Sequence, residues 1–229
     1  MKYFEPIFHV FYLGVVFYMS LKMISAGKNN KLIKLFGVMG FTLGAGDSFH
    51  LIPRIYALLT TGLEANAAAL GIGKLVTSIT MTLFYAILIK IWEIRFDIKE
   101  NKGIRVFAGI LVASRIILTL MPQNQWTLYD APVSWGIYRN IPFTILGVLI
   151  VYLILKEAVK YKDEAFKKIG IGIIISFACY LPVVLFATTY RLVGILMIPK
   201  TLAYLWIVYI GYREMNNMVF DSINLEQII

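Results

Sequence analysis

The stretch GAGDSFHLIPR, residues 44–54, places Asp47, His50 and Arg54 in a run that is otherwise apolar or small. On a helix, at about 100° per residue, the three side chains fall within about 60° of one another, on the face that also carries Gly40 and Gly44. Asp47 and His50 are three residues apart, and Glu5 and His9 are four apart. Either spacing sets a carboxylate and an imidazole on one helical face. If the segments holding them are neighbours, the four groups converge. Two histidines with one or two carboxylates suit Zn²⁺, with His9, Asp47 and His50 as candidate ligands. The same set, Glu5, His9, Asp47 and His50, also suits metal-free acid–base hydrolysis or transfer on a lipid ester. His9 and His50 are in addition candidates for the two axial ligands of a haem, with arginines near its propionates. Ser48 points about 100° from Asp47, so a Ser–His–Asp triad inside this one segment is awkward.

A second pattern concerns cations. Arg54, Lys74, Arg115, Arg139 and Lys200 outnumber the acids Glu5, Asp47 and Asp130 that share their region of the chain. A converging excess of guanidinium and ammonium groups suits a carboxylate or phosphate, with Arg supplying a planar bidentate fork. The candidate ligand-binding residues are therefore Asp47, His50, Arg54, Lys74, Arg115, Arg139 and Lys200. The ligand is a small anionic solute or a lipid headgroup, and Asp47 with His50 is a protonatable pair able to couple binding to pH. Against this stands a plainer reading. Arg54, Lys74, Arg139 and Arg191 can snorkel to headgroups, and Asp47–Arg115 or Asp130–Arg139 can be structural ion pairs.

The elements that position these residues follow from composition. Of 229 residues, 59% are hydrophobic and 15% charged, against about 25% charged in a typical soluble domain. The apolar residues gather into blocks near the ~20-residue length that crosses a bilayer. Seven spans result, at about Pro6–Ile24, Leu32–Leu59, Ala68–Trp92, Val106–Met121, Ile137–Leu155, Ile169–Thr188 and Leu192–Tyr212. Backbone groups in lipid must bond internally, so the spans are helices, and the fold class is an all-α, polytopic integral membrane protein. Residues 1–213 form the seven-helix domain and 214–229 a short cytoplasmic tail. Cys179 is the single cysteine, which excludes an intrachain disulfide. The run after MKYF is too long, and its SAG site too weak, for a cleaved signal.

Fifteen of the 22 basic residues fall in or beside the loops after spans one, three and five or at the end of span seven, whereas TTGLEANAAA and PQNQWTLYDAPVSW contain none. The positive-inside rule then sets the N-terminus out and the C-terminus in the cytoplasm. The net charge of +9 is a topology signal flanking the spans, consistent with anionic lipid as partner and not with nucleic acid. The expected location is the plasma membrane of a prokaryote. Counted in depth, Asp47, His50, Arg54, Lys74, Arg115 and Arg139 lie in the outer half, and Lys200 about mid-span. Glu5, His9 and Tyr12 share a face, as do Lys74, Thr77, Ser78, Met81 and Tyr85. Three polar stripes at one depth imply a shared cavity open to the outside, since a charge facing lipid costs at least ~2.5–3.5 kcal/mol.

Short echoes link the two halves. LGVVFY matches LGVLIVY, SFHLIPR matches SFACYLPV, and Lys74 corresponds to Lys200, at offsets of 133, 128 and 126 residues. They suggest a 3+1+3 parallel repeat, and prolines at 53, 142, 182 and 199 offer hinges. The layout resembles that of SWEET-type sugar transporters, although their PQ-loop motif is missing. Lys200 resembles the Schiff-base lysine of rhodopsins in position, but span three supplies no carboxylate counter-ion. Ceramidase-type membrane hydrolases need three histidines, and this chain has two. The function expected from the sequence is a transporter with an outward-facing cationic cavity. The alternatives are a lipid hydrolase or transferase, a seven-helix receptor, or a haem protein.

Overall fold

Residues 3–187 and 189–226 are described by a computed structural model, and they form seven α-helices. These are α1 (Phe4–Ala26), α2 (Lys31–Leu59), α3 (Ala67–Arg95), α4 (Lys102–Leu120), α5 (Val133–Lys160), α6 (Glu164–Phe186) and α7 (Met197–Glu226). Short 3₁₀ turns at Pro122–Asn124 and Arg191–Leu196 lead into α5 and α7. No strand occurs among the described residues. Seven segments are long and apolar enough to cross a membrane, the last running Leu192–Met218. The chain is an all-α protein built for a bilayer.

Most helices outrun the apolar windows, and the reason is chemical. Their ends carry Lys31, Arg95, Lys102, Arg105, Lys156 and Lys160, residues that form helices well but add nothing to hydropathy. Asn30 caps α2 by accepting from the Leu32 and Ile33 amides at 3.0 and 3.2 Å, and Asp163 caps α6 through the Phe166 amide at 3.0 Å. Each bond satisfies an amide that the first turn would otherwise leave unpaired. Helix α7 continues past Tyr212 through most of the segment expected as a tail. Thr188, the expected end of span six, lies outside the described residues, as does Lys2. Pro53, Pro142 and Pro182 are inside helices, whereas Pro199 falls in the first turn of α7, where no hydrogen bond is lost.

The helices close into a ring in chain order. Each packs on its sequence neighbours, α7 returns to α1 and α2, and α3 reaches α5 behind α4. Phe36, Phe84, Leu88, Ile154, Phe166 and Ile207 fill the interior, while Phe11, Ile52, Ile110, Val148 and Tyr152 face outward as a lipid-facing protein requires. With no water to drive helices together, close approach depends on small residues. A Cβ at Gly46 would strike the Thr80 side chain, and one at Gly73 would strike the backbone of Phe49 and His50. These two glycines let α2 and α3 meet at the level of the polar residues.

Candidate functional site

Two polar stripes meet where α1 packs against α2. The Tyr12 hydroxyl donates to Asp47 Oδ2 at 2.7 Å, and Arg54 Nε donates to Glu5 Oε1. His9 Nε2 stands 4.0 Å from the same Glu5 oxygen, and its buried Nδ1 meets no protein partner among the described residues. The helices run antiparallel, so steps of seven residues on each match in register: Glu5 to Tyr12 on α1 opposes Arg54 to Asp47 on α2. Two turns of helix return a side chain to the same face. Ser48 Oγ turns back to the Gly44 carbonyl at 2.7 Å and takes no part.

His50, rotated from Asp47 on the same face, faces α3 instead. Its Nδ1 lies 3.3 Å from the Leu70 carbonyl. A carbonyl only accepts, so Nδ1 carries the proton in that bond, and in the neutral ring Nε2 is left with a lone pair. The contact exists because Gly73 lets the α2 backbone ride directly on α3. Thr77 Oγ1 bridges the same two helices by donating to the Gly46 carbonyl at 3.0 Å.

The cations fall into two groups. Lys74 is exposed and lies within electrostatic reach of Arg54, Arg139 and His50. Lys200, on the first turn of α7 and so nearer the helix end than its sequence span implies, sets its Nζ 4.9 Å from the Tyr180 ring and 5.6 Å from the Tyr204 ring. It is also within electrostatic reach of Asp47 and His50. Tyr180 is held by donating to Asn140 Oδ1 at 2.8 Å, and Tyr204 shares a 3.1 Å hydrogen bond with Tyr85. Aromatic faces attract a cation without neutralising it.

Arg115 and Arg139 are committed differently. Arg115 is 1% exposed, donates through Nη1 to the Arg139 carbonyl, and stacks 5.0 Å over Phe143. Its Nε has no hydrogen-bond partner among the described residues. Arg139 donates to Asn124 Oδ1 at 2.7 Å and lies 4.3 Å over the Trp126 ring. Asn124 in turn takes up the Leu118 and Met121 carbonyls at 2.7 and 2.8 Å, closing the end of α4, and Trp126 Nε1 donates to the Thr119 carbonyl at 3.0 Å. These residues knit the loop after α4 onto α3 and α5. The anticipated structural pairs, Asp47–Arg115 and Asp130–Arg139, do not form among the described residues.

The structure thus gathers Glu5, His9, Asp47, Arg54 and Lys200 around α1, α2 and α7, with His50 and Lys74 on the α3 side. No three His, Cys, Asp or Glu side chains meet as a metal site among the described residues, because Asp47 is turned to Tyr12 and His50 to Leu70. Tyr180, Tyr204, Asn124 and Trp126 were not legible as partners of the cations. Tyrosines are common in apolar spans, and the loop holding Asn124 and Trp126 carries no basic signal. Two clefts open at the Lys-rich end of the bundle, one of about 690 Å³ beside Arg95, Asp163 and Glu214 and one of about 370 Å³ between α3 and α4. Neither is lined by the residues above.

Fold and composition together define the class, a seven-helix membrane protein. No protein-family model matches this chain, and neither a curated protein nor a solved structure does.

Proposed function

We propose that the chain binds an anionic solute or lipid headgroup at the end of the bundle holding Lys74 and Lys200, and that it moves this ligand across the membrane. One observation carries the reading: of Arg54, Lys74, Arg115, Arg139 and Lys200, only Arg54 has a carboxylate within 4 Å among the described residues. Arg54, Lys74 and Lys200 are the residues best placed to hold the anion, with His50 beside them. Arg115 and Arg139 support the site from behind. Asp47, bonded to Tyr12 and facing the charge of Lys200, forms with His50 the protonatable pair that would couple anion binding to pH. In this reading the N-terminus and the cation-lined end face outward, opposite the Lys-rich loops.

Thermal denaturation of the purified protein in phosphate, sulfate, acetate or chloride at equal ionic strength tests the binding. Phosphate or acetate should stabilise the wild type beyond chloride, and the Lys74→Ala/Lys200→Ala variant should lose that gain. Equal stability in all four salts would sink the proposal. Uptake into proteoliposomes under an imposed pH gradient tests the transport part separately.

A second reading rests on His50. With Nδ1 spent on Leu70, its Nε2 is oriented as a general base or a metal ligand. A lipid esterase built on it would lose activity in His50→Asn and retain it in Lys200→Ala, whereas the transport reading requires Lys200.

A further inference from the structure

A groove runs between α3 and α4 at the Lys-rich end of the bundle. Ala86, Ile89, Lys90 and Glu93 descend one face of α3, and Arg105, Ala108, Gly109 and Val112 one face of α4. Both sets follow the i, i+3, i+4, i+7 pattern that keeps a stripe on one side of a helix. The helices are antiparallel and joined by a short connection, so Lys90, Glu93 and Arg105 lie together near the bundle end. Ala86, Ala108, Gly109 and Val112 lie deeper, up to roughly 10 Å further in at ~1.5 Å per residue. A Cβ built at Gly109 meets no atom within 4 Å, so this wall is open and apolar.

The charged end is unbalanced. Glu93, with its side chain 4% exposed, accepts from Lys90 at 2.6 Å, Asn101 at 2.5 Å and Arg105 at 2.6 and 3.2 Å. The cations remain 45% and 51% exposed, so two positive charges stand over one carboxylate. Arg105 Nη1 makes no hydrogen bond among the described residues, and Lys90 spends one of its donors on Glu93. Their outer sides offer N–H groups at headgroup level, directly above an apolar slot.

We propose that this groove is a binding site for one anionic phospholipid, with the phosphate on Lys90 and Arg105 and an acyl chain along Ala86, Ala108, Gly109 and Val112. Charge complementarity selects the lipid class: the site adds a net cation at the depth of the phosphates, as basic pockets between transmembrane helices do. A volume of about 370 Å³ lies in the range of small-ligand sites. The site is separate from the cations at the other end of the bundle, so it stands or falls independently of the proposed transport.

Native mass spectrometry of the full chain, delipidated and titrated with dioleoyl phosphatidylglycerol or dioleoyl phosphatidylcholine, tests it. One phosphatidylglycerol should bind at least ~10-fold more tightly than phosphatidylcholine. Lys90→Gln/Arg105→Gln should erase that preference. Because this change strips Glu93 of partners, Gly109→Phe serves as the second variant: it fills the slot, leaves every charge in place, and should also weaken binding ~10-fold or more. Lys156→Gln/Lys160→Gln removes equal charge at the same end, away from the groove, and should leave affinity within about twofold. A matching loss in this control, or full binding by Gly109→Phe, would overturn the proposal. So would a wild-type dimer that Gly109→Phe converts to monomer, since the groove would then hold a second copy of the chain.

Discussion

At the Lys-rich end of the bundle, carboxylates are ringed by cations. Glu93 holds Lys90, Asn101 and Arg105, while Arg95 reaches both Asp163 at 2.7 Å and Glu214 at 3.4 Å. Seven of the nine ion pairs among the described residues lie there. At the opposite end, Lys200 and Arg139 meet aromatic rings, Arg115 a backbone carbonyl, and Asp47 a tyrosine hydroxyl. Paired ions at the Lys-rich end fix helix ends to one another, with part-exposed cations set over carboxylates that are largely buried, 4% exposed for Glu93 and 9% for Asp163. Cations left against rings and carbonyls keep their charge available. One end is thus tied by ion pairs, and the other by hydrogen bonds and ring contacts.

The comparison breaks most readily at Arg115. Arg115→Ala should lose roughly 3–5 kcal/mol of stability, from the cavity and from the lost hydrogen bond to the Arg139 carbonyl. Unfolding of the purified protein, followed by tryptophan fluorescence, measures this. A loss below about 1 kcal/mol would mean that the contacts of Arg115 hold nothing together. At the other end, Glu93→Gln should cost about 2 kcal/mol, since four charge-assisted bonds weaken while Lys90 and Arg105 regain water. If it cost more than Arg115→Ala, the ion pairs of the Lys-rich end would hold the fold more tightly than the ring and carbonyl contacts opposite.

Tyr12→Phe sharpens the point at smaller scale. It removes one hydrogen bond to a carboxylate, worth about 1.5 kcal/mol, and keeps the ring packed against Leu13 and Val16. The loss should vanish when Asp47 is also changed to Ala, which has no acceptor, if the interaction is the pair's own. A double-variant cycle that adds independently would disconnect α1 from the Asp47 site.

Seven helices were legible because bilayer thickness imposes a length and an apolar content that any sequence must display. Their charged ends were not, since hydropathy cannot see a helix that continues through Lys and Arg. Within the site, the faces of Glu5, His9, Tyr12, Asp47 and Arg54 could be read from helical periodicity, and α1 does meet α2 along them. His50 was placed on the shared face correctly, but not its turn toward Leu70. That depends on how closely Gly73 lets α3 approach, which is a property of packing. Arg139 and Arg115 looked like ligand-binding groups because sequence reveals their charge and depth. It does not reveal that Asn124 and Trp126, from a loop without Lys or Arg, fold back onto Arg139, or that Arg115 meets the Arg139 carbonyl and the Phe143 ring.

The smallest structural effect is expected where the functional one is largest. Lys74 is exposed and its side chain makes no ion pair or hydrogen bond among the described residues, so Lys74→Ala should change stability by less than about 0.5 kcal/mol. If the cations at this end hold an anion, the same change should lower phosphate or acetate affinity by ~10-fold, because a charge-assisted contact is worth about 1.5–3 kcal/mol. Raising ionic strength should narrow the gap between variant and wild type, since an exposed charge is screened within ~10 Å at 0.1 M salt. A gap that stays constant with salt would mean that Lys74 shapes the site by packing alone. No gap at all would leave Lys74 as a headgroup anchor and move the candidate anion site inward to Lys200.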